Sequence, residues 1–161
     1  MIDYGPFCFS SPPRTAAMWF AEACGMVGLG EGKKSLIHIP PSPTWSGLGV
    51  SLIRHPYHWL ASYHRALNGR EIGVPIVDAL APMSREFIDS SAFMRAYVKQ
   101  APGTLSEILN RYAATVVLRV EDLPWCAIEL FVSVGIPEKK AMEGRSIPHL
   151  NVQARPMHVF N

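Results

Sequence analysis

In "SSPPRTAAMW" an arginine, Arg14, stands between a proline pair and a run of small residues that opens a helical stretch. Small residues at Thr15, Ala16 and Ala17 allow backbone N–H groups to approach an anion, and an arginine there adds a charged, bidentate donor. Further on, "VSLIRHPYHWLASY" places Arg54 directly after an apolar run, Pro56 at the start of a helix, and Ser62 eight residues after Arg54. A chain that turns from strand into helix between them doubles back, so guanidinium and hydroxyl can face one anion. The third group is His38 in "SLIHIPP", at the end of an apolar run before a proline pair. A histidine there is either hydrogen-bonded structure or, because it titrates near neutrality, a base for a hydroxyl substrate. Taken singly, each has a plain alternative: Arg14 as a solvated arginine in a proline-rich turn, Arg54 as a surface residue, Ser62 as a helix-packing serine.

The elements that must position these groups follow from hydrophobic patterning. Four short apolar runs predict buried strands: "PFCF" around Phe7–Phe9, "SLIHI" at 35–39, "GVSLI" at 49–53 and "TVVLRV" at 115–120. Helices are predicted from Arg14 to Val27, with Gly28 and Gly30 just past the end, and from Tyr57 to Leu67. Further helices are predicted over 84–99, over 104–113 and from Pro124 to Val134, before Gly135. Strands alternating with helices point to an α/β fold with a mainly parallel sheet. In such sheets ligands bind beyond the carboxyl ends of strands, where helix N-termini present N–H groups. All three chemical groups fall at such ends. The Pro/Gly-rich connections 39–49 and 68–83 are long for a compact domain, a length that is often functional. The tail after Pro137 has no clear periodicity.

Composition narrows the class. The 161 residues, 48 % hydrophobic, predict a single domain over 1–161 with a real core. A charged fraction of 17 % argues against disorder, and a net charge of +2 against nucleic acid as a partner. Cys8, Cys24 and Cys126 form no CxxC or Cys/His cluster, which argues against a disulfide framework and a zinc site and for a reducing, cytoplasmic setting. No run of 18 apolar residues predicts a membrane span, and "MIDYGPFCF" lacks the pattern of a signal peptide. Tyr57, Trp59 and Tyr63 could line an acceptor cleft, but aromatics at helical spacing are more often core. Glu121 and Asp122 read as a cap for the helix that follows them, Met83, Met94 and Met142 as packing, and Lys33 and Lys34 as a solvated turn.

Together the three groups resemble one family, the sulfotransferases that use 3′-phosphoadenosine 5′-phosphosulfate (PAPS). "PPRTAAMW" is similar to their PKSGTTW loop, with Pro13, Arg14, Thr15 and Trp19 on its proline, basic residue, hydroxyl residue and tryptophan. "RHPYHWLAS" resembles their RxP-x(5)-S element, and "LIHIPP" the KTHLP strand end. "RVEDLPWCAIELFVSVGIP" (119–137) is similar to their late strand and helix, so the resemblance spans most of 7–137. It implies a three-layer sandwich around a mainly parallel sheet, of P-loop NTPase-like type. It further implies a loop over Pro13, Arg14, Thr15, Ala16, Ala17 and Met18 for the 5′-phosphosulfate, Trp19 stacking on adenine, and Arg54 and Ser62 on the 3′-phosphate. Catalysis falls to His38 as base and to Arg14, which neutralises charge on the bridging oxygen. The products are PAP and a sulfated hydroxyl or amine acceptor, small molecule or carbohydrate, with no metal required.

Departures from the family pattern keep two alternatives open. The loop glycine and threonines are replaced by Ala16, Ala17 and Met18, and the lysine two places before the histidine by Leu36. Val120 replaces a tyrosine, His55 an acidic or amide residue, and "PHLNVQARP" (148–156) stands where a longer segment is found, with Asn151 as a candidate contact. The same fold could thus serve as a non-catalytic nucleotide-binding module. A P-loop-like small-substrate kinase is the remaining alternative, disfavoured by the missing GK[ST] and by the absence of a convincing carboxylate for magnesium. The chain is short for the family, which leaves the acceptor pocket open or completed by a partner, a homo-oligomer being one way to close it.

Overall fold

The structure, a computed structural model, describes residues 1–41, 46–68, 86–87, 89–112 and 114–147. Among these residues the chain forms an α/β fold with one open sheet of four strands, mostly parallel, and six α-helices. The strands β1 (Ile2–Asp3), β2 (Cys8–Phe9), β3 (Gly49–Ile53) and β4 (Val116–Arg119) lie side by side in chain order. β1 runs antiparallel to β2, and the other pairs are parallel. The helices are α1 (Ala17–Met26), α2 (Pro56–Asn68), α3 (Ser90–Gln100), α4 (Thr104–Arg111), α5 (Trp125–Ser133) and the short α6 (Glu138–Ala141). No helix of the described residues is long and apolar enough to cross a membrane.

Register decides which strand residues are core. Val50, Ser51, Leu52 and Ile53 of β3 pair in order with Val116, Val117, Leu118 and Arg119 of β4. Alternation then sends Val50, Leu52 and Leu118 to one face, where they join Phe7 and Phe9 in the larger core with α1 and α5. Phe20 of α1 lies at its centre, 4.5 Å from Phe9 and 5.8 Å from Phe131 between ring centroids. It is fully buried, so truncation to alanine costs about 3–5 kcal/mol. On the opposite face of the sheet, Val117 of β4 stays exposed. A second cluster joins α2, α3 and α4 through Trp59, Leu60, Tyr63, Phe93, Ala96, Tyr97 and Ile108.

Helix ends explain the boundaries. α1 and α5 stop where a glycine takes positive φ, 86° at Gly28 and 93° at Gly135. The following residues close the turn by bonding back, Leu29 N–H to the Cys24 carbonyl and Ile136 N–H to that of Phe131, each at 2.9 Å. α3 begins at Ser90 because the Asp89 carboxylate accepts the Ala92 N–H at 2.7 Å.

Two expectations are corrected. "SLIHI" forms no strand. A 3-10 turn covers Lys34–Leu36, and the following residues meet the end of β2 through separate bonds rather than a ladder, among them Ser11 N–H to the Ile37 carbonyl and Ser10 Oγ to that of Ile39. Helix α1 starts at Ala17 rather than Arg14, because Arg14 and Ala16 are left-handed. The tail after Pro137 contains α6 and a 3-10 turn, Met142–Ser146. Met83, Asn151, the rest of 148–156 and nearly all of the 68–83 connection lie outside the described residues.

Candidate functional site

The site is built on the turn from β2 into α1. Arg14 has φ 68° and Ala16 φ 56°, a left-handed backbone that costs a non-glycine residue about 1–2 kcal/mol. Such strain persists only where the surroundings over-determine it, and here they do. The Thr15 hydroxyl donates to the Pro12 carbonyl at 2.6 Å. The Ser11 and Thr15 hydroxyls also touch each other, and the Ser11 hydroxyl donates to the Leu52 carbonyl at 3.3 Å. From the other side the Trp59 indole N–H donates to the Pro13 carbonyl at 2.7 Å. With Thr15 fully buried and Trp19 only 4 % exposed, the turn shows few side chains to solvent. Arg14, half-buried, is the one basic side chain it offers.

α2 supplies the second wall. Trp59, Ser62 and Tyr63 sit three and four residues apart and so share one helix face. Trp59 holds the turn, Tyr63 stacks on Trp59 at 5.3 Å, and the Ser62 hydroxyl accepts the Arg14 Nε–H at 3.2 Å. Arg54, at the end of β3, stands close enough for its charge to act on this group. Burial holds its guanidinium below the ordinary range; Glu121 opposes that shift, while the positive charges of Arg65 and Arg14 add to it. The turn arginine and the helix serine are thus joined directly, and the strand-end arginine feels the charge of Arg14.

His38 approaches the turn from the segment after the 3-10 turn. Its Nδ1 lies 2.8 Å from the Ser11 carbonyl. A carbonyl only accepts, so Nδ1 carries the proton and Nε2 keeps its lone pair in the neutral ring. Burial holds the imidazole below its usual pKa; the Ser11 carbonyl works the other way, and the N-terminal ammonium adds to the lowering. Tyr112 donates its hydroxyl to the His38 carbonyl at 2.8 Å, which anchors this segment without a strand.

The remaining expected positions are placed as follows. Pro13 and Ala17 are buried, and Ala16 and Met18 are partly buried against the larger core. Helix geometry leaves the N–H groups of Ala17 and Met18 without an intrahelical acceptor, as an anion-binding turn requires. Trp19, expected on an adenine, is instead part of the core, with its N–H donated to the Ile147 carbonyl at 3.3 Å. Of the α2 aromatics, Trp59 and Tyr63 are core, but Tyr57 is exposed. Glu121 does not cap the helix after it. Its carboxylate accepts the His55 N–H at 2.8 Å, just before α2, with His58 Nδ1 at 3.7 Å. Burial raises its pKa, but the His55 and Glu121 N–H groups and the charges of His58 and Arg119 outweigh that and lower it overall.

Sequence reasoning missed Trp59 as the clamp on Pro13, Tyr112 as the anchor of His38 and Arg65 as a neighbour of the cationic group. Only Arg65 had a readable signal, its position three residues after Ser62. Comparison with protein-family models, with curated proteins and with solved structures gave no match.

Proposed function

We propose that this chain is a PAPS-dependent sulfotransferase acting on a hydroxyl or amine acceptor, with the three-layer, P-loop-like arrangement that the resemblance implies. The observation that carries the reading is the Arg14 Nε–Ser62 Oγ bond at 3.2 Å, beside Arg54. It joins the turn and the strand–helix element, the two parts that the resemblance assigns to the two phosphate groups of one nucleotide. A donor set of two guanidiniums, a hydroxyl and helix N–H groups fits a ligand with more than one anionic group.

In this reading Arg54 and Ser62 hold the 3′-phosphate, while Arg14 and the Ala17 and Met18 N–H groups face the 5′-phosphosulfate. PAPS supplies an activated sulfuryl group. Arg14 balances negative charge on the departing phosphate side, and the neutral His38 accepts the acceptor's proton at Nε2. No residue is assigned to the adenine, because Trp19 is committed to the core.

A non-catalytic nucleotide-binding module is the second reading. It is favoured by Thr15, whose proton goes to Pro12 rather than to a phosphate. Calorimetric titration with PAP and AMP on wild type and Arg54→Ala tests the donor site, and an acceptor screen with His38→Ala separates enzyme from binder. Preferential binding of PAP, lost in Arg54→Ala, is the expected result. Equal affinity for the two nucleotides would remove the sulfotransferase reading.

A further inference from the structure

α2 carries a second chemical group on another face. His64 lies two residues beyond Ser62, and residues two apart do not share a helix face. Its ring is 2 % exposed and stacks on Phe93 of α3, with ring centroids 4.8 Å apart. Both ring nitrogens are engaged. Nε2 meets the Phe87 carbonyl, and Nδ1 lies 3.1 Å from the hydroxyl of Ser90, the first residue of α3. A carbonyl only accepts, so Nε2 carries the proton in the neutral ring; the other tautomer would set that oxygen against a lone pair. The Asn68 amide nitrogen, 2.9 Å from Nε2, has its own acceptor in the His64 carbonyl at 3.1 Å. Nδ1 therefore accepts the Ser90 O–H. Ser90 is partly exposed, so its hydroxyl stands between a buried base and solvent.

We propose that Ser90 is a nucleophilic serine, with His64 as its base and the Phe87 carbonyl holding the ring, and that it takes an acyl group from a neutral ester. The arrangement supplies a hydroxyl bonded to an imidazole lone pair and a third group that fixes the tautomer. Helix geometry also leaves the N–H groups of Ser90 and Ser91 without an intrahelical acceptor, open to an oxyanion. The next two are spent, Ala92 N–H on the Asp89 carboxylate at 2.7 Å and Phe93 N–H on the Asp89 carbonyl at 2.9 Å. Asp89 also selects the substrate. Its exposed carboxylate, one residue from Ser90, repels an anion, which sets this site apart from the one at Arg14. In the reaction Ser90 Oγ bonds to the ester carbonyl carbon while its proton passes to His64 Nδ1. The C–O bond to the alcohol then breaks, and Nδ1 returns the proton to the departing oxygen. The products are acyl-Ser90 and the free alcohol. None of this depends on the sulfotransferase reading.

The test is acetylation of the full chain by p-nitrophenyl acetate, a neutral acyl ester, located by peptide mapping and mass spectrometry. Wild type, Ser90→Ala and His64→Gln are compared, with circular dichroism as the check on folding. Ser106 on α4, an exposed serine, is the internal reference. Ser90 should be acetylated about 10²–10⁴-fold faster than Ser106, the range for a positioned general base. A burst of nitrophenolate, absent in Ser90→Ala, should accompany it. His64→Gln should bring Ser90 down to the rate of Ser106. A Ser90–His64 bond that only ties α2 to α3 predicts equal acetylation of the two serines in wild type. That result overturns the proposal even if His64→Gln does not fold. Acetylation of Ser90 at the wild-type rate in folded His64→Gln would overturn it as well, because the base would then play no part.

Discussion

Arg14 and Ser62, 48 residues apart in sequence, are joined by a hydrogen bond of 3.2 Å from the guanidinium Nε to the serine hydroxyl. The bond orients a flexible side chain and fixes the distance between turn and helix. Ser62→Ala should therefore lower stability by about 0.5–1.5 kcal/mol. It should also weaken binding of PAP about fivefold, since Arg14 must then be ordered by the ligand itself. Urea unfolding and calorimetry read the two effects separately. Unchanged PAP affinity would mean that the bond is structural only.

Ala16 holds φ 56° without the freedom of glycine. Ala16→Gly should relieve about 1–2 kcal/mol of backbone strain, partly offset by the greater entropy of glycine in the unfolded chain. A net gain of about 0.5–1 kcal/mol in unfolding free energy is expected, with anion binding retained. Arg14→Gly relieves the same kind of strain but should abolish PAP binding. A loss of stability in Ala16→Gly would show that Cβ packing at this position outweighs the strain.

The Trp59 clamp on Pro13 can be removed while an aromatic ring is kept, at the cost of a smaller buried side chain. Trp59→Phe should cost about 1–3 kcal/mol, because the buried Pro13 carbonyl loses its 2.7 Å donor. Amide exchange at Thr15 and Ala16 should accelerate more than at core positions of α5. Uniform acceleration throughout would assign the effect to global destabilisation instead of the turn.

His38 sets a pH dependence whose sign follows from its environment. Burial keeps its pKa below the ordinary histidine value, so the unfolded chain binds more protons between the two values. Stability then rises with pH across that window. The contribution is fully present above about pH 6.5 and is lost as pH falls through the folded-state pKa. If His38 is the base, kcat/KM should show an acid limb below about pH 6.5, and His38→Ala should lower kcat by about 10²–10⁴-fold. An acid limb that persists in His38→Ala would point to another group.

Much of this arrangement was legible from residue pattern alone. The helices over Pro56–Asn68, Thr104–Arg111 and Trp125–Ser133, and the strands Gly49–Ile53 and Val116–Arg119, arise where local propensity, apolar spacing and punctuating Pro or Gly agree. The same agreement marked the positions of Arg14 and Arg54, because a strand that turns at once into a helix leaves its junction residues at the sheet's carboxyl end.

What sequence determined by itself was local: the α/β alternation, the helix stops at Gly28 and Gly135, and the placing of basic residues at strand ends. Tertiary structure decided the rest. "SLIHI" has a strand's composition, yet a strand exists only where a neighbour continues the ladder, and these residues find separate partners at Ser10, Ser11 and Tyr112. Trp19 has the position of a stacking residue, but the Ile147 carbonyl and the core take it inward. Hydrogen-bond partners and burial depend on segments far apart in sequence, and no local pattern encodes which distant group arrives.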